Sequence, residues 1–364
     1  MSCELADMTE RELVNALGTN VTLADARAVI RHAMLSHVSG ETWQQLALAL
    51  FRWQCMHNEV YGDFVKALGL DADGIRDVES IPCMPVEAFK HHTVQSTAWD
   101  IHRTFRSSGT STTALRSQHH LDSEGMAWYG FVSEAAWEYA WGGKVGQCDW
   151  AGLLPGYIGR EDASLIAMVT HFMESSDSPK RMFMEDHALL NQLIDMWGRD
   201  GSNRSVVLFG VTWAILDWID GVEQGHWTPS LAAKLRLIET GGMKGRGEEP
   251  IRAQVHERMR AALPGIQIAS EYGMTEMMSQ AYATDGVHHG FPPWVIPVIR
   301  ESRDPFSVVA AGRSGRLDVM DLANVHSCAF LATSDLAQGS ELGIEMLGRV
   351  DRSDVRGCSL LASD

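Results

Sequence analysis

Small hydroxyl residues crowd one short stretch of the sequence, S-S-G-T-S-T-T at 107–113. Backbone amides in a glycine-containing turn converge on an anion, and serine and threonine hydroxyls add donors without bulk. The stretch therefore predicts a loop that binds a polyphosphate, although a flexible surface linker has a similar composition. The residues of this predicted phosphate loop are Ser107, Ser108, Gly109, Thr110, Ser111, Thr112 and Thr113.

A second polar cluster, S-E-Y-G-M-T-E at 270–276, directly follows the apolar run P-G-I-Q-I-A. The apolar run predicts a strand, and ligands of open α/β sheets bind beyond the carboxyl ends of strands. Tyr272 has a ring that suits stacking on a planar base, Thr275 a hydroxyl for a phosphate oxygen, and Glu276 a carboxylate for a magnesium ion. A strand, a turn and a helix cap without any ligand is the alternative interpretation.

Two further clusters lie near predicted strands in the last forty residues. Asp335 follows the apolar run of L-A-T-S-D-L-A-Q-G, and its carboxylate can accept hydrogen bonds from both hydroxyls of a ribose. Arg349 and Asp351, in L-G-R-V-D-R-S-D, lie at another predicted junction of a strand and a turn. Neither cluster identifies a ligand by itself. Whether the clusters can form one site depends on the predicted helices and strands that position them.

The first hundred residues are predicted to be largely helical. Thr9 with Glu12, and Thr22 with Asp25, have the spacing of capping boxes that open helices. Residues 41–68 have the pattern of one long helical stretch.

After residue 105 the pattern changes to alternating strands and helices. The apolar runs S-L-I-A-M-V-T-H-F and S-V-V-L-F-G-V-T-W-A-I-L are typical of strands, whereas E-D-H-A-L-L-N-Q-L-I-D-M-W-G and P-I-R-A-Q-V-H-E-R-M-R-A-A-L are typical of helices. This alternation predicts a layered α/β fold with a buried, mostly parallel sheet. From residue 312 onward we expect short strands separated by turns. We divide the chain into a helical segment, 1–100, an α/β core, 101–348, and a tail, 349–364.

Composition excludes several classes of partner. The formal net charge is −17, which argues against nucleic acid or an anionic membrane surface as the main partner. The acidic start of the chain and the absence of a long apolar run predict neither an export signal nor a membrane span, so we expect a cytoplasmic protein. The six cysteines form no C-x-x-C pair, which indicates reduced thiols rather than disulfides or a zinc knuckle.

Motifs of other nucleotide-binding and hydrolytic enzymes are absent from the sequence, namely G-x-x-x-x-G-K-[ST], G-x-G-x-x-G, G-x-S-x-G and H-E-x-x-H. The doublets His119–His120 and His288–His289 suggest metal ligands, but adjacent side chains diverge. Each doublet therefore offers at most one ligand to a site, and we predict no zinc site.

The order of the four clusters resembles the adenylate-forming superfamily, whose members activate carboxylates with ATP as acyl-adenylates. Within it, the sequence is most similar to the acyl-protein synthetases of the LuxE type, known from bacterial luminescence operons. The resemblance spans residue 81 to the C-terminus and implies the α/β fold of the superfamily's large N-terminal domain, with ATP and Mg²⁺ as cofactors. It rests on I-P-C-M-P-V-E-A-F-K, R-S-S-G-T-S-T, L-L-P-G-Y-I-G-R-E-D-A-S-L-I-A-M-V, L-F-G-V-T-W-A-I-L-D, G-G-M-K-G-R-G, P-P-W-V-I-P-V-I-R, G-R-L-D-V-M-D-L-A-N-V-H-S-C-A-F-L-A-T-S-D-L-A and G-R-V-D-R-S-D-V-R-G-C-S-L-L.

The resemblance implies a role for each residue of the predicted site. The phosphate loop would hold the β- and γ-phosphates of ATP, Thr275 would contact the α-phosphate and Glu276 would bind Mg²⁺. Trp213 would border the acyl pocket. The residues implied around the nucleoside are Gly241, Gly242 and Tyr272 at the adenine and Asp335 and Arg349 at the ribose, and Gly273 is implied as a further ATP-binding residue.

The sequence departs from this family at its C-terminal end. Many members carry a mobile C-terminal domain whose lysine reaches the reacting carboxylate, but here 13 residues follow Asp351 and none is a lysine. We therefore expect a truncated tail, and either another cation of the chain or one from a partner or neighbouring subunit. Lys244 in G-G-M-K-G-R-G is our candidate and Arg246 the second choice, while an exposed loop lysine is the alternative interpretation.

A cysteine in the tail is a candidate acyl acceptor. In LuxE-type proteins a cysteine near the C-terminus takes the acyl group from the adenylate, and Cys358 has a comparable position. A thiolate is strongly nucleophilic and its thioester keeps the acyl group activated. Beside Leu360 and Leu361, Cys358 has the alternative interpretation of a buried apolar residue. Cys328, inside the apolar S-C-A-F-L-A, is predicted to be core.

The predicted function is the ATP-dependent activation of a carboxylic acid, either a fatty acid or another hydrophobic acid, with transfer of the acyl group to a thiol. The resemblance implies an acyl reductase, an acyltransferase or an acyl carrier protein as partner. Two alternatives stay open: a non-catalytic ATP-binding scaffold of an acyl-transfer complex, and an acyl- or aryl-CoA ligase.

Overall fold

The computed structural model describes residues 8–108, 115–155, 160–176, 182–183, 186–199, 204–221, 229–241, 252–302 and 304–349. The helices of these ranges are α1 Glu10–Ala16, α2 Leu23–Leu35, α3 Gly40–His57, α4 Glu59–Ala67, α5 Ala88–His91, α6 Gly125–Trp141, α7 Ser164–Ser175, α8 His187–Arg199, α9 Thr212–Asp220, α10 Pro229–Lys234 and α11 Arg252–Ala262. The strands are β1 Met84–Pro85, β2 Arg103–Arg106, β3 Gln118–Leu121, β4 Cys148–Leu153, β5 Met182–Phe183, β6 Ser205–Val211, β7 Leu235–Thr240, β8 Gln267–Tyr272, β9 Ala281–Ala283, β10 His288–His289, β11 Val295–Arg300, β12 Ser314–Asp321, β13 Phe330–Ser340 and β14 Gly343–Arg349.

The chain folds into two compact units. The first combines Met1–Trp99 with Pro293–Asp364, and the second is Asp100–Pro292. The second unit is therefore continuous in sequence, whereas the first is formed by two segments that precede and follow it.

The helical prediction for the first hundred residues is confirmed. Both capping boxes form, because the side chains of Thr9 and Thr22 accept hydrogen bonds at the starts of α1 and α2 while their partner carboxylates bond back. The predicted long helix is two helices, since the chain leaves helical geometry at Asn58. The Asn58 side chain caps α4 by accepting from the Tyr61 amide at 3.0 Å.

The sheet of the first unit is largely antiparallel. Strands β11, β12, β13 and β14 pair in that order as a meander, and the short β1 pairs parallel with β13. Strands separated by turns are therefore confirmed for the region after residue 312, although β13 extends over 11 residues. Phe330 packs against Phe51 and Tyr61, with ring centroids 5.8 and 5.5 Å apart, so aromatic rings join this sheet to the helices of the same unit.

The second unit contains the predicted parallel sheet. Its strand order is β5-β4-β6-β7-β8-β9, in which all neighbours are parallel except β9, which runs antiparallel to β8. Six of the seven residues of β6 are buried, as expected for a strand covered on both faces. The α/β fold with a buried, mostly parallel sheet is confirmed.

One strand prediction of this unit is wrong. The apolar run S-L-I-A-M-V-T-H-F forms α7, and its buried residues 168, 169, 172 and 173 have the spacing of one helix face. A short run of apolar residues does not distinguish a buried strand from a buried helix. The run S-V-V-L-F-G-V-T-W-A-I-L divides between β6 and α9, whereas the two predicted helices are confirmed as α8 and α11. No helix within the described ranges is long and apolar enough to cross a membrane.

Candidate functional site

The carboxyl edge of the parallel sheet brings several predicted site residues together. Thr240 of β7 pairs with Val211 of β6 on one side and with Glu271 of β8 on the other, so the ends of the three strands lie level. Gly241 and Tyr272 are the next residues along their strands. This edge is where open parallel sheets bind ligands.

The turn after β7 needs a glycine. Gly241 has φ +73°, in the left-handed region, and a Cβ there would meet no atom within 4 Å. Its carbonyl oxygen lies 2.7 Å from the hydroxyl of Thr212, which also lies 2.7 Å from the carboxylate of Glu239. Trp213, in the first turn of α9, is half-buried at this same edge. The adenine contact predicted for Gly241 and the acyl-pocket position predicted for Trp213 thus fall on neighbouring strand ends.

The ring of Tyr272 is held in a defined orientation. It makes edge contacts with the rings of His289 and Phe291, at centroid distances of 6.1 and 6.0 Å. The residue is half-buried and lies at the very end of β8. An oriented, partly exposed aromatic ring fits the stacking role predicted for it.

The turn after Tyr272 carries the predicted phosphate and magnesium residues. Thr275 is half-buried, and Glu276 is 6% exposed. The backbone oxygen of Thr275 accepts a hydrogen bond from Nδ1 of His119, at 2.8 Å. His119 is fully buried in β3, so this bond fixes its tautomer and joins the β2–β3 hairpin to the turn.

The hairpin is the base of the predicted phosphate loop. Strands β2 and β3 pair antiparallel, and Ser107 extends the pairing by donating from its amide to the Ser117 carbonyl at 3.1 Å. The Ser107 hydroxyl accepts from the Ser117 amide at 3.0 Å, which closes the loop, while Ser108 is exposed. His119 therefore connects the base of the phosphate loop to Thr275, a contact that the sequence did not predict.

A buried carboxylate lies beneath the sheet edge. Glu239 is 3% exposed and accepts from the hydroxyls of Ser270 at 2.5 Å and Thr212 at 2.7 Å, with Arg252 and His256 at 3.5 and 3.4 Å. Burial raises the pKa of Glu239, but the nearby His256 ring, the Arg252 charge and the two hydroxyls together bring it below its usual value. Thr212 lies between this carboxylate and the Gly241 carbonyl, and its single hydroxyl proton is shared between these two acceptors. A glutamate inside the apolar strand L-R-L-I-E-T is the sequence signal that reveals Glu239.

The predicted ribose residues lie in the first unit. Arg349 pairs with Asp335 across β14 and β13, and its Nε lies 3.2 Å from the carboxylate of Asp335. Asp335 lies inside β13 rather than after its end, which corrects the sequence interpretation. β13 shifts register beside Asp335, between Leu336 and Ala337, and pairs with β14 on both sides of this shift.

Other predicted residues lie outside the described ranges or have no site role. Cys328 is fully buried, which confirms its prediction as core.

Metal binding was tested over the described part of the chain, where no group of three or more His, Cys, Asp or Glu residues is placed to hold a metal. Mg²⁺ bound together with substrate phosphates needs only one or two carboxylates, so Glu276 beside Thr275 fits that ion. The predicted residues outside the described ranges are Gly109, Thr110, Ser111, Thr112, Thr113, Gly242, Lys244, Arg246, Asp351 and Cys358.

No protein-family model matches the sequence, and no curated protein does. Solved structures do share the fold. A 2-hydroxyisobutyryl-CoA ligase in complex with 2-HIB-AMP and CoA, in the thioesterification state, superposes with a TM-score of 0.64 at 14% identity, over 86% of this chain and 70% of the ligase chain. Its open conformation, also with 2-HIB-AMP and CoA, gives 0.61 at 13% identity, over 85% and 76%. This likeness confirms the fold that the resemblance to adenylate-forming enzymes implies.

Proposed function

We propose that the protein activates a carboxylic acid with ATP and passes the acyl group to a thiol. The observation that carries this proposal is the turn after β8, where the Tyr272 ring, the Thr275 hydroxyl and the buried Glu276 carboxylate follow one strand end. The turn lies at the carboxyl edge of a sheet whose fold is shared with a ligase crystallised with an acyl-AMP. Such an edge provides an aromatic surface for a base next to groups that suit phosphates.

The first step forms the acyl-adenylate. A carboxylate oxygen of the acid attacks the α-phosphorus of ATP, the bond to pyrophosphate breaks, and acyl-AMP remains bound. Nucleophile and leaving group must lie in line while negative charge on the phosphates is neutralised. Mg²⁺, when held by Glu276, supplies part of that positive charge. Lys244 is our candidate for the remaining cation and Arg246 the second choice.

The nucleotide contacts follow the predicted assignments. Thr275 donates its hydroxyl to the α-phosphate, and Trp213 borders the acyl group. Gly241, Gly242 and Tyr272 surround the adenine, Asp335 and Arg349 hold the ribose, and Ser107 to Thr113 hold the β- and γ-phosphates, with Gly273 as a further ATP-binding residue.

The second step transfers the acyl group. A thiolate attacks the carbonyl carbon of the adenylate, AMP leaves, and a thioester forms. We propose Cys358 as the first acceptor, in the manner of LuxE-type acyl-protein synthetases, with a hydrophobic acid as substrate. A partner acyl reductase, acyltransferase or acyl carrier protein then takes the acyl group. The shared fold with a CoA ligase makes CoA the alternative acceptor.

Acid-dependent exchange of labelled pyrophosphate into ATP tests the first step, over a panel of aliphatic, aromatic and amino acids. Exchange with one class of acid supports the proposal. Binding of ATP without exchange by any acid, also after addition of candidate partner proteins, contradicts it and leaves the non-catalytic scaffold.

The variant Cys358→Ser separates the two steps. We expect it to keep pyrophosphate exchange within about twofold of the native rate and to lose the acyl adduct seen by intact-protein mass spectrometry, because only the acceptor thiol is gone. Cys55→Ser is the matched control, since Cys55 is half-buried and burial raises its pKa to about 12. A stable acyl adduct on the Cys358 variant would move the acceptor to another residue.

The variant His119→Phe tests the connection between hairpin and turn. An aromatic ring is kept but the donor to the Thr275 carbonyl is lost, so we expect the exchange rate at saturating substrates to fall about tenfold. His120→Phe is the matched control, because among the described residues His120 has a side-chain partner within the hairpin, the Thr104 hydroxyl at 2.9 Å, and not in the turn after β8. If the two variants have equal exchange rates, His119 has no positioning role. The same holds if His119→Phe is slower only because it has lost thermal stability, as judged against His120→Phe.

A further inference from the structure

Positive charge is concentrated at the base of the predicted phosphate loop. Arg106 ends β2 directly before Ser107, and Arg116 lies shortly before β3 on the other side of the loop. A third arginine, Arg160, belongs to the turn 160–162, which lies against the end of β2. The whole chain has a formal net charge of −17, so three cations beside one short loop stand out from its composition. Such a local excess of positive charge attracts an anion.

Hydrogen bonds fix the turn 160–162 beside the loop. The Arg106 amide donates to the Asp162 carbonyl at 2.8 Å, and the guanidinium group of Arg160 donates to the Arg106 carbonyl at 3.2 Å. The turn is closed by a hydrogen bond from the Ala163 amide to the Arg160 carbonyl, at 3.0 Å. Because Arg106 directly precedes the loop, the turn and the loop meet at one end of β2.

The Asp162 carboxylate brings two guanidinium groups together. Its Oδ1 lies 3.4 Å from Nε of Arg160, and its Oδ2 lies 3.5 Å from Nη2 of Arg116. Both distances are longer than the roughly 2.8 Å of a tight charge-assisted hydrogen bond. One negative charge therefore faces two positive charges in loose contact, and a net positive charge remains.

The two arginines keep hydrogen-bond donors available. The side chain of Arg116 is 36% exposed and that of Arg160 is 25% exposed. Among the described residues, the ion pair with Asp162 is the one polar contact of the Arg116 side chain, so most of its five N–H donors can bind a ligand. Helix α7 begins at Ser164, right after the turn, and no described side chain caps its start. The positive end of the helix dipole therefore adds to the charge at this place.

A purely structural role does not account for this arrangement. Partly exposed ion pairs add little stability, and one arginine is enough to pair with one carboxylate. Guanidinium groups bind phosphate through two parallel N–H donors, and the terminal phosphates of a nucleotide carry several negative charges. Two arginines on one carboxylate, beside a loop of hydroxyl residues, therefore suit a polyphosphate.

We propose that Arg116 and Arg160, oriented by Asp162, bind the β- and γ-phosphates of ATP and hold them as pyrophosphate when they leave. The inference rests on the proposed function, since it adds two residues outside the predicted loop to the phosphate site of that reaction. When the bond to the α-phosphorus breaks, its electron pair goes to the pyrophosphate oxygen. Two guanidinium groups that are fixed in advance stabilise the charge that develops there.

Ligands should separate by their terminal phosphates. Pyrophosphate and ATP carry the groups that the two arginines bind, whereas AMP carries only the α-phosphate, which is assigned to Thr275. Loss of one arginine should therefore weaken the binding of pyrophosphate and leave the binding of AMP unchanged. A residue that only stabilised the fold would affect both ligands alike.

Calorimetry with inorganic pyrophosphate, ATP and AMP, each in the presence of Mg²⁺, tests this site in the full chain. We expect Arg116→Gln and Arg160→Gln each to weaken the binding of pyrophosphate and ATP at least about tenfold, and the binding of AMP less than about twofold. In pyrophosphate exchange, the KM for pyrophosphate should rise by a similar factor. Arg199→Gln is the matched control, because Arg199 is 83% exposed and pairs with Asp195 of the same helix at 3.5 Å.

The outcomes separate this inference from the proposed function. Unchanged pyrophosphate affinity in either variant overturns the inference, as do equal losses for pyrophosphate and AMP, an equal loss in Arg199→Gln, or no pyrophosphate binding by the native protein. Acid-dependent exchange would still support the proposed function in each of these cases. Absence of exchange with every acid contradicts the proposed function, whereas pyrophosphate binding that depends on both arginines still supports the inference. If Arg160→Gln fails to fold, Arg116→Gln decides alone, because it removes a single ion pair among the described residues.

Discussion

Replacing Glu276 by glutamine is expected to lower acid-dependent pyrophosphate exchange at least about a hundredfold with the fold intact. Glutamine keeps the volume and most of the hydrogen-bonding capacity of this 6% exposed side chain, but it removes the negative charge. A hard cation such as Mg²⁺ depends on that charge, and loss of one group that neutralises developing charge typically costs this much. The loss should appear in the rate at saturating acid.

The measurement compares Glu276→Gln with Glu257→Gln, the same chemical change at an exposed position of α11. Exchange is followed across a range of Mg²⁺ concentrations, and ATP binding is measured by calorimetry with and without Mg²⁺. We expect Glu276→Gln to bind ATP alone like the native protein but to gain little affinity from Mg²⁺. Native exchange in this variant, or an equal loss in Glu257→Gln, would end the assignment of Glu276 as the magnesium ligand.

The sequence predicted those structural elements whose stabilising contacts are made between residues close together in the chain. The capping boxes at Thr9 and Thr22 form because every atom they need lies within three residues. The strand prediction at 164–172 failed because a run of apolar residues suits burial in either a helix or a strand, and the packing of α7 against other elements decides between them.

The candidate site likewise contains features that the local sequence predicts and contacts that only the tertiary fold creates. The Tyr272 to Glu276 turn was predictable, since polar residues that follow an apolar strand must lie at a sheet edge. His119 was not, because its partner Thr275 is 156 residues away and only the tertiary fold joins them. The opposition of Glu271 and Tyr282 likewise depends on the pairing of β8 with β9. A single sequence carries no sign of such long-range pairs.

Long-range polar contacts also hold the first unit together, and one of them lies wholly inside its core. Arg300 of β11 donates from Nε to the Asp318 carboxylate of β12 at 2.7 Å, and both side chains are 1% exposed. Arg300 also donates to the backbone oxygens of Ile81 and Phe306 at 3.1 Å each, and Arg316 lies 3.0 Å from Asp318. One guanidinium group thereby joins a strand, a loop and the segment that precedes β1.

We expect Asp318→Ala to lower the free energy of unfolding by about 3 to 5 kcal/mol, because it leaves Arg300 buried without its counter-charge. Urea denaturation measures this loss. Glu301→Ala breaks the ion pair of Arg313 and Glu301, which are 3.6 Å apart at the surface, and should cost less than about 1 kcal/mol. The double variant Arg300→Met, Asp318→Leu should recover much of the loss, since it removes the unpaired charge and keeps apolar volume. Similar costs for Asp318→Ala and Glu301→Ala would mean that water reaches Arg300 and that the buried pair contributes no more than a surface pair.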